Sequence, residues 1–418
     1  MTQAPPSERV NADRVDERDP QSLKKYLLSF DWPYRNEAVH QMLVDGGLPL
    51  WMQVLRFVPN RAERGKALEL GSPPFHVTLM LQRFRNYDLS LTGAAADGRP
   101  EITQTLDSAE FGERYDFACQ CFDIENDRFP YPDNTFDLVT WVEVIEHLTK
   151  DPVHALAEIH RVLKPGGVLV LSTPNASRAD SIANFLVGRN IYDPYHLGAP
   201  LMGSRHSREY TLSELRGLLE GCGFTVNRAQ DIDIYPARNR KLRLFRALLQ
   251  NVVARRTKGN YRFHLFVRAQ KTDAPFRWNF PAGLFDGGHL AFHMAPQDRR
   301  VVMGENDVIH TSFGWGPLQT DTDGTAFRRC SDVGDIYLRT EGPVSRVRVR
   351  LRNAKGKVET MHDNNVVDLV RLGEAPVDAG ATWQEIEVPV SAEQDPAKRL
   401  HVRLDVPGGA DVQWAEAE

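Results

Sequence analysis

The sequence predicts an α/β domain built on a parallel sheet, followed by an all-β sandwich domain. Short apolar runs at residues 136–142 and 168–171 flank a helical pattern, and this order of strand, helix and strand forms one right-handed crossover of a parallel sheet. After residue 290 the chain changes to short alternating segments with turn residues between them, which predicts antiparallel strands.

Composition limits the class of protein. A chain of 418 residues can bury more than one core, and 41% hydrophobic with 26% charged residues is typical of soluble globular proteins. The formal net charge of -5 gives no reason to expect nucleic acid as a partner. No basic-then-apolar leader and no apolar run near the roughly 20 residues of a membrane span is found, so a cytoplasmic location is expected. The four cysteines lack the paired spacing of a zinc site or disulfide scaffold.

The chain divides into four predicted segments. Residues 1–22 are polar, charged and proline-containing, so we expect a disordered tail. Residues 23–272 form the α/β domain with N-terminal helices, residues 273–290 a linker rich in Pro, Gly and aromatics, and residues 291–418 the β-sandwich. Three tryptophans of the sandwich either stack on sugar rings or lie in the core: Trp315, Trp383 and Trp414.

Local signals place several elements of the α/β domain. The first strand is predicted at residues 66–71, and Ser72 is expected to cap the next helix with Pro73 in its first turn. The second strand is predicted at residues 87–91, and residues 101–120 add a strand or hairpin.

Two later helices carry boundary signals. Asp151 is expected to cap the helix of the crossover, which the turn at residues 165–167 (Pro-Gly-Gly) should end. Thr211 with Glu214 three residues later predicts a capping box at the start of another helix.

Three runs of residues occur in a recognisable order: PYPDNTFDLV, EVIEH and EIHRVLKPGGVLVLSTPN. Together they closely resemble the second half of the Rossmann-like, seven-stranded domain of class I S-adenosylmethionine-dependent methyltransferases. The resemblance covers about residues 60–270, and YRFHLFVRA resembles the family's last, antiparallel strand. It implies S-adenosyl-L-methionine as the cofactor. The segment FGWGPLQTDTDGTAFRRC is similar, more weakly, to accessory β-domains of bacterial glycan-building enzymes.

The resemblance implies positions for the cofactor. Glu69 and Gly71 stand where the family has an acid and the first glycine of a glycine-rich turn, and Ser72 follows them. Asp123 stands where a loop acid accepts a hydrogen bond from the adenine amino group, with the Ile124 amide beside it. The alternative for Asp123 is an ordinary turn acid.

The chain departs from the family pattern at two places. Pro73 and Pro74 replace further glycines and remove two amide donors, and the second strand ends in Thr92-Gly93 where an acid for the ribose is expected. Either the cofactor is held differently or its binding has been lost.

The EVIEH run, residues 143–147, supplies all of the predicted reactive groups except His206. We predict Glu143 as a cofactor ligand and Glu146, His147 and His206 as catalytic residues, and we predict no metal ligand. Three interpretations stay open for Glu146 and His147. They provide a general base, they hold a divalent cation as in some methyltransferases with an E-x-x-E-H run, or they hydrogen-bond the loops around the site.

The acceptor is predicted from an irregular stretch after the fifth parallel strand. Its polar and aromatic residues could form a wall for a hydroxylated molecule: Tyr195, His196, His206, Glu209 and Tyr210. The predicted activity is O-methylation of a hydroxyl on a saccharide or cell-surface glycan precursor. The alternatives are a small-molecule O- or N-methyltransferase, and a non-catalytic scaffold whose β-domain binds a glycan or a protein.

Residues 238–262 contain nine Lys or Arg and no Asp or Glu, interleaved with apolar residues such as Leu244 and Leu248. This pattern predicts a basic amphipathic helix that contacts an anionic acceptor or a membrane surface, or else a solvated helix face. The sequence leaves the oligomeric state open.

Overall fold

The computed structural model divides the chain into two compact units, Met1–Phe276 and Arg277–Glu418. The residues that it describes are 15–32, 37–94, 98–149, 152–192, 205–273, 276, 284, 298–311, 314–340, 342–365, 368–391 and 400–418. Residues 1–14 of the predicted tail and most of the predicted linker lie outside these ranges. None of the helices within them is long and apolar enough to cross a membrane.

The first unit is an α/β domain. Its strands are β1 (Gly65–Leu70), β2 (Tyr87–Gly93), β3 (Glu101–Ser108), β4 (Glu113–Cys121), β5 (Phe136–Val142), β6 (Leu163–Pro174), β7 (Phe224–Ile232) and β8 (His264–Lys271). Its helices are α1 (Pro20–Leu28), α2 (Glu37–Phe57), α3 (His76–Phe84), α4 (Val153–Val162), α5 (Ala179–Leu186), α6 (Leu212–Gly221), α7 (Arg240–Leu248) and α8 (Ala254–Thr257). A π-helical turn, Leu249–Val253, joins α7 to α8.

The eight strands form one sheet in the order β3-β4-β2-β1-β5-β6-β8-β7. Strands β4, β2, β1, β5 and β6 are parallel neighbours, whereas β8 runs antiparallel between β6 and β7, as the resemblance implies. Strand β3 pairs antiparallel with β4 and adds an edge hairpin to the seven-stranded sheet. The chain order proceeds in opposite directions on the two sides of β1, so β1 and β5 border the crevice where open α/β sheets bind ligands.

Strands β1 and β5 are the buried centre of the sheet. Five of the six residues of β1 are buried, and five of the seven residues of β5, because helices cover both faces of the sheet. The core beside them takes Leu23 and Tyr26 from α1 and Phe57 from α2. Tyr26 Oη also donates to Glu113 at 2.7 Å, which fixes α1 at the edge strand pair β3 and β4.

One predicted boundary is wrong and another is confirmed. Ser72 does not cap α3, which begins at His76 after Phe75, because Ser72 is too far along the chain to reach the first amides of the helix. The crossover helix α4 ends just before the Pro-Gly-Gly turn, as predicted: its last residue is Val162, Leu163 is already extended, and Pro165 follows two residues later. Asp151 lies outside the described residues.

Two further boundaries can be compared with the structure. Pro20 to Ser22 belong to α1 rather than to a disordered tail, because the carboxylate of Asp19 accepts hydrogen bonds from the amides of Gln21 and Ser22. The capping box of Thr211 and Glu214 at the start of α6 is confirmed in both directions.

The second unit consists of two antiparallel sheets. Its strands are β9 (Arg300–Val302), β10 (Trp315–Thr320), β11 (Ala326–Cys330), β12 (Val333–Leu338), β13 (Arg346–Arg352), β14 (Ala354–Asn365), β15 (Asp368–Ala379), β16 (Gln384–Pro389), β17 (Leu400–Asp405) and β18 (Ala410–Ala417). One sheet has the order β10-β11-β18-β13-β16 with β9 beside β18, and the other has the order β12-β17-β14-β15. A single core draws Val349 from the first sheet and Val402 from the second, which fits the predicted sandwich.

The tryptophans of this unit are engaged by neighbouring side chains. Trp414 is 5% exposed, and the guanidinium of Arg300 lies 4.6 Å from the centre of its ring. Arg352 covers Trp383 at 4.4 Å, and Trp315 donates to a backbone carbonyl at 3.1 Å. Trp414 is therefore a buried residue of this unit, whereas sugar stacking by Trp315 or Trp383 stays a prediction.

Candidate active site

Most of the predicted residues lie at the carboxyl ends of β1 and β5, whereas Asp123 and Ile124 follow β4. Leu70 pairs with Trp141 at the end of this parallel strand pair, so the turns that follow both strands lie side by side. Gly71 adopts a positive φ of 77°, which favours glycine. A Cβ atom on Gly71 would lie 2.6 Å from Cγ2 of Val144, so a larger residue would force the two turns apart.

Glu69 and Ser72 are buried anchors of the turn after β1. Glu69 is 4% exposed, and its carboxylate accepts a hydrogen bond from Thr78 Oγ1 of α3 at 2.7 Å. Burial raises the pKa of Glu69 to about 8, against a smaller lowering effect of the Thr78 hydrogen bond. Ser72 Oγ donates to the Glu69 carbonyl at 3.1 Å. These contacts show how both residues shape the turn, and direct contact with a ligand stays a prediction.

Strand β2 ends in Thr92 and Gly93, where the family pattern has an acid for the ribose. Thr92 is buried and its hydroxyl donates to the Glu69 carbonyl at 3.0 Å. The Pro73 ring packs against Gly93, where a Cβ atom would lie 3.1 Å from Pro73 Cδ. Within the described residues no carboxylate lies at the carboxyl end of this strand. Asp88 lies near the amino end of β2, where it pairs with Arg64.

Asp123 lies in a compact turn after β4. Its carboxylate accepts from the Glu125 amide at 2.8 Å and from the Asn126 side-chain amide at 2.5 Å. The turn acid interpretation is therefore realised in this structure. A carboxylate oxygen can accept more than one hydrogen bond, so contact of Asp123 and the Ile124 amide with adenine stays a prediction.

Glu143 begins the turn after β5 in a left-handed conformation with a φ of 53°, which is unusual for a residue other than glycine and is found at ligand sites. Ser172 Oγ donates to its carboxylate at 2.8 Å, and His264 Nε2 donates to it at 2.9 Å. These contacts hold Glu143 at the boundary between β5, β6 and β8.

Glu146 follows in a short 3₁₀ turn and is 1% exposed. Thr173 Oγ1 donates to its Oε2 atom at 2.9 Å, whereas Oε1 has no hydrogen-bond partner among the described residues. Burial raises the pKa of Glu146 well above its usual range, and the negative charge of Glu143 raises it further. The edge thus holds a desolvated carboxyl group with one unsatisfied oxygen.

His147 and His206 lie beside Glu146 with their rings oriented by acceptors. The Arg205 carbonyl oxygen lies 3.0 Å from His147 Nδ1 and can only accept, so Nδ1 carries the proton and Nε2 of the neutral ring carries the lone pair. The Glu209 carboxylate orients His206 in the same way at 3.0 Å. The centres of the two imidazole rings are 5.1 Å apart.

These three side chains support two kinds of chemistry. His147 Nε2 lies 3.9 Å from Glu146 Oε1, so a proton taken up by the ring would lie beside a carboxyl group. One ligand atom each from Glu146, His147 and His206 lies within 4.8 Å of the others, a spacing that a divalent cation could also use. Base and metal interpretations depend on the same atoms, so they remain alternatives.

The predicted acceptor wall is described in part. Tyr195 and His196 lie outside the described residues. Arg178 binds the Glu209 carboxylate, and Tyr210 is buried, so Tyr210 belongs to the core rather than to an open wall. His206 is the predicted member that lies beside the reactive groups.

Sequence reasoning missed the residues that support the site. Thr173 and Ser172 belong to the recognised STPN segment, so their position at the end of β6 could have been used as a signal. His264 pairs with Pro174 across antiparallel strands and lies 121 residues from Glu143 in the chain, so no local pattern could connect them.

The donor set fits a cationic ligand at the reactive end of the crevice. Glu69, Glu143 and Glu146 concentrate carboxyl groups there, and Glu146 Oε1 and Thr140 Oγ1 are buried polar atoms without a partner in the described part of the chain. A nearby positive charge would lower the raised pKa of Glu146 and restore its ionised form. These residues therefore fit the sulfonium end of S-adenosylmethionine, while the ribose end lacks the expected acid.

Part of the first unit is similar to known methyltransferases. Residues 69–171 match the profile of a family described as methyltransferase domain. A probable S-adenosylmethionine-dependent methyltransferase of Mycolicibacterium smegmatis is 39% identical over 98 residues, which cover 23% of this chain and 32% of the relative. A ubiquinone/menaquinone biosynthesis C-methyltransferase of Methylobacterium nodulans is 27% identical over 180 residues, which cover 38% of this chain and 60% of the relative.

The chain thus spans about a third to three fifths of the length of these relatives. Among solved structures, a Haloferax volcanii methyltransferase in complex with the Trm112 activator gives a TM-score of 0.37 at 15% identity, over 56% of this chain and 93% of that chain. The matched segment runs from Glu69 through the EVIEH run to the end of the crossover. Within the first unit, residues 69–171 are a methyltransferase domain of the S-adenosylmethionine-dependent kind.

Proposed function

We propose that this chain transfers a methyl group from S-adenosylmethionine to a hydroxyl of a saccharide or cell-surface glycan precursor. The observation that carries the proposal is the pairing of His147 with Glu146 at the carboxyl edge of β5. The Arg205 carbonyl fixes the ring so that Nε2 has a lone pair, and Glu146 Oε1 lies 3.9 Å from that atom. This arrangement suits removal of a proton from an alcohol.

The cofactor, when bound, supplies a methyl group on a sulfonium whose positive charge already activates the leaving group. The turn at Gly71 and the loop at Asp123 and Ile124 would hold it. The protein's main task is then to orient the acceptor and exclude water.

His147 Nε2 is the atom that takes the acceptor's proton in this proposal. Protonation makes the ring cationic, and the adjacent Glu146 carboxylate would stabilise that charge. The hydrogen bond from Nδ1 to the Arg205 carbonyl persists in both protonation states, so the ring keeps its orientation through the reaction.

A hydroxylated acceptor is supported by the polar groups near this base. His206, Glu209 and Arg178 form a hydrogen-bonded group next to His147, and such groups can bind hydroxyls as donors or acceptors. The weak similarity of the second unit to accessory domains of glycan-building enzymes favours a saccharide over an aromatic alcohol.

The acceptor class is tested with methyl-labelled S-adenosylmethionine and a panel of nucleotide sugars, oligosaccharides, small phenols and amines. The proposal expects label on a saccharide oxygen, located by mass spectrometry. Label on phenols or amines alone would favour the small-molecule alternative. Gly71→Arg should abolish transfer. Gly112→Arg is the matched control, because Gly112 also has a positive φ but no atom lies within 4 Å of a Cβ there.

The non-catalytic alternative rests on the Ser72-Pro73-Pro74 turn and on the end of β2 at Gly93. It would be favoured if S-adenosylmethionine and S-adenosylhomocysteine both fail to bind, and the search would then move to ligands of the second unit.

A further inference from the structure

Two helices of the first unit carry an exposed face that the methyl-transfer site does not use. Helix α5 and the segment after it pack against α7, and a groove of about 680 Å³ lies between them. We call the surface around this groove the α5/α7 face. Its apolar members are Phe185, Leu186, Val187, Tyr192, Leu244, Leu248 and Val252. Its basic members are Arg189, Arg238, Arg240, Lys241, Arg243, Arg255, Arg256 and Lys258.

The basic side chains of this face are exposed, and within the described residues none of them forms an ion pair. Residues 238–262 contribute no acid to balance them. Arg246 is the exception in α7, because it is buried and pairs with Asp180 of α5 at 2.7 Å. That buried pair fixes α7 on α5, while the other cations point to solvent.

The apolar side chains of this face are 45–75% exposed. Leu244, Leu248 and Val252 recur at helical spacing along α7 and the π turn, next to Lys241 and Arg255. Scattered exposed apolar residues are ordinary, but seven large ones on adjoining elements form a patch of the kind that marks a binding surface. A purely solvated helix face would not explain the apolar side chains.

We propose that the α5/α7 face docks on the surface of a bilayer that contains anionic phospholipids. Cations attract the phosphate headgroups, and apolar side chains between them enter the interface, which is the pattern of membrane-binding amphipathic helices. Phe185 and Tyr192 are of the aromatic type that settles at this depth. The groove gives room for a headgroup between Arg189, Arg238 and Lys241.

Other occupants fit this face less well. A second copy of the chain would bring two unbalanced basic surfaces together, which like-charge repulsion opposes. Nucleic acid would satisfy the cations but would leave exposed aliphatic groups such as Leu244 and Leu248 without a partner. The inference does not depend on methyl transfer, because docking is measured without cofactor or acceptor.

The test is co-sedimentation of the purified full chain with vesicles of phosphatidylcholine alone or mixed with phosphatidylglycerol. We expect binding to the mixed vesicles only, and we expect added salt to weaken it. The charge variant Lys241→Gln/Arg243→Gln/Arg255→Gln should bind roughly a hundredfold more weakly, at about fivefold per lost cation. The apolar variant Leu244→Ser/Leu248→Ser should also lose binding, although its net charge is unchanged.

Matched controls separate the face from general charge and hydrophobicity. Lys25→Gln/Arg114→Gln/Arg128→Gln removes the same charge from exposed side chains elsewhere in the first unit, and it should bind as the wild type does. Leu318→Ser/Val333→Ser removes exposed apolar groups of the second unit and should also be neutral.

Three results would overturn the proposal. Equal binding to both vesicle types would show that anionic headgroups are not recognised. Wild-type binding by the charge variant would show that the α5/α7 face is not the docking surface. Binding to a duplex RNA probe as tight as that to mixed vesicles, and unaffected by the apolar variant, would assign the face to nucleic acid. Thermal unfolding of every variant, expected to match the wild type because the changed side chains are exposed, checks that lost binding is not lost folding.

Discussion

At the scale of single residues, the site depends on carboxyl groups that the fold removes from water. Glu69 is held by Thr78 and Glu146 by Thr173, each through one hydroxyl hydrogen bond. One neutral hydrogen bond does not replace the hydration of a carboxylate, so burial raises the pKa of both groups. Both residues therefore cost stability when they ionise, and a cationic ligand would offset that cost.

We predict that Glu69→Gln changes the pH dependence of stability. The folded chain holds the Glu69 proton up to a pKa of about 8, whereas the unfolded chain loses it near 4.5. Stability from this group is therefore complete below pH 4.5 and is lost as the pH rises toward 8, by an amount on the order of 5 kcal/mol. Urea unfolding should find Glu69→Gln close to wild type at pH 5 and more stable at pH 9.

Glu220→Gln, at an exposed position of α6, is the control and should follow the wild type at both pH values. Equal stability of Glu69→Gln and wild type at pH 9 would mean that Glu69 is not desolvated as described.

We predict that His147→Gln separates transfer from binding. Glutamine can still donate a hydrogen bond toward the Arg205 carbonyl but cannot take a proton, so the transfer rate to the acceptor found in the panel should fall by about 10² to 10⁴. The Kd of S-adenosylhomocysteine, measured by calorimetry, should change little. A chelator should leave wild-type transfer unchanged. Loss of transfer with chelator, restored by a divalent cation, would instead assign Glu146, His147 and His206 to a metal site.

At the scale of elements, the turn from Gly71 to Phe75 replaces a glycine-rich loop by a stiffer one. Gly71 and Phe75 both have a positive φ, so the chain reverses sharply before α3 begins. Gly71 also lies against Val144, which joins the turn after β1 to the turn after β5. The geometry of one turn therefore depends on the side chain of the other.

We predict that Gly71→Ala destabilises the domain by about 2 to 4 kcal/mol, from a strained φ and a clash with Val144. Gly112→Ala has a similar positive φ in open space, so its smaller loss, about 1 kcal/mol, measures the φ effect alone. In the Val144→Ala background the cost of Gly71→Ala should fall toward that of Gly112→Ala. Chemical denaturation of the four single and double variants tests this, and additive losses would mean that the two turns do not touch.

Local signals predicted some elements well and others poorly. The capping box of Thr211 and Glu214 and the strand at residues 136–142 are encoded within a few residues, and both are confirmed. The predicted cap of α3 was wrong because a serine before two prolines can either cap a helix or turn inward. The hydrogen bond from Ser72 to the buried carbonyl of Glu69 selects the inward orientation. The partners of the site were missed because His264 reaches Glu143 from a strand late in the chain.

At the scale of the whole molecule, the described residues form one hydrophobic core around the mixed sheet and another between the antiparallel sheets. The change of composition near residue 290 predicted two domains because a sandwich needs alternating strands, whereas a parallel sheet needs continuous apolar ones. Which molecules the second unit binds could not be predicted, since its tryptophans serve packing as well as recognition.

We predict two unfolding transitions in differential scanning calorimetry. A saturating concentration of S-adenosylhomocysteine should raise the Tm of one transition, that of the first unit, with a stabilisation of about 2.7 kcal/mol at a hundred times the Kd. The other transition should stay in place. A single transition that shifts as a whole would contradict the prediction that the two units unfold separately.

The most direct test of the account is isothermal titration of S-adenosylmethionine and S-adenosylhomocysteine into the purified chain, alongside Gly71→Arg, Asp123→Ala and the control Gly112→Arg. The account predicts saturable binding of one ligand per chain, weakened by the changes at Gly71 and Asp123 and unaffected by the change at Gly112. No heat and no thermal stabilisation with either ligand would contradict the central claim that this crevice is a working cofactor site.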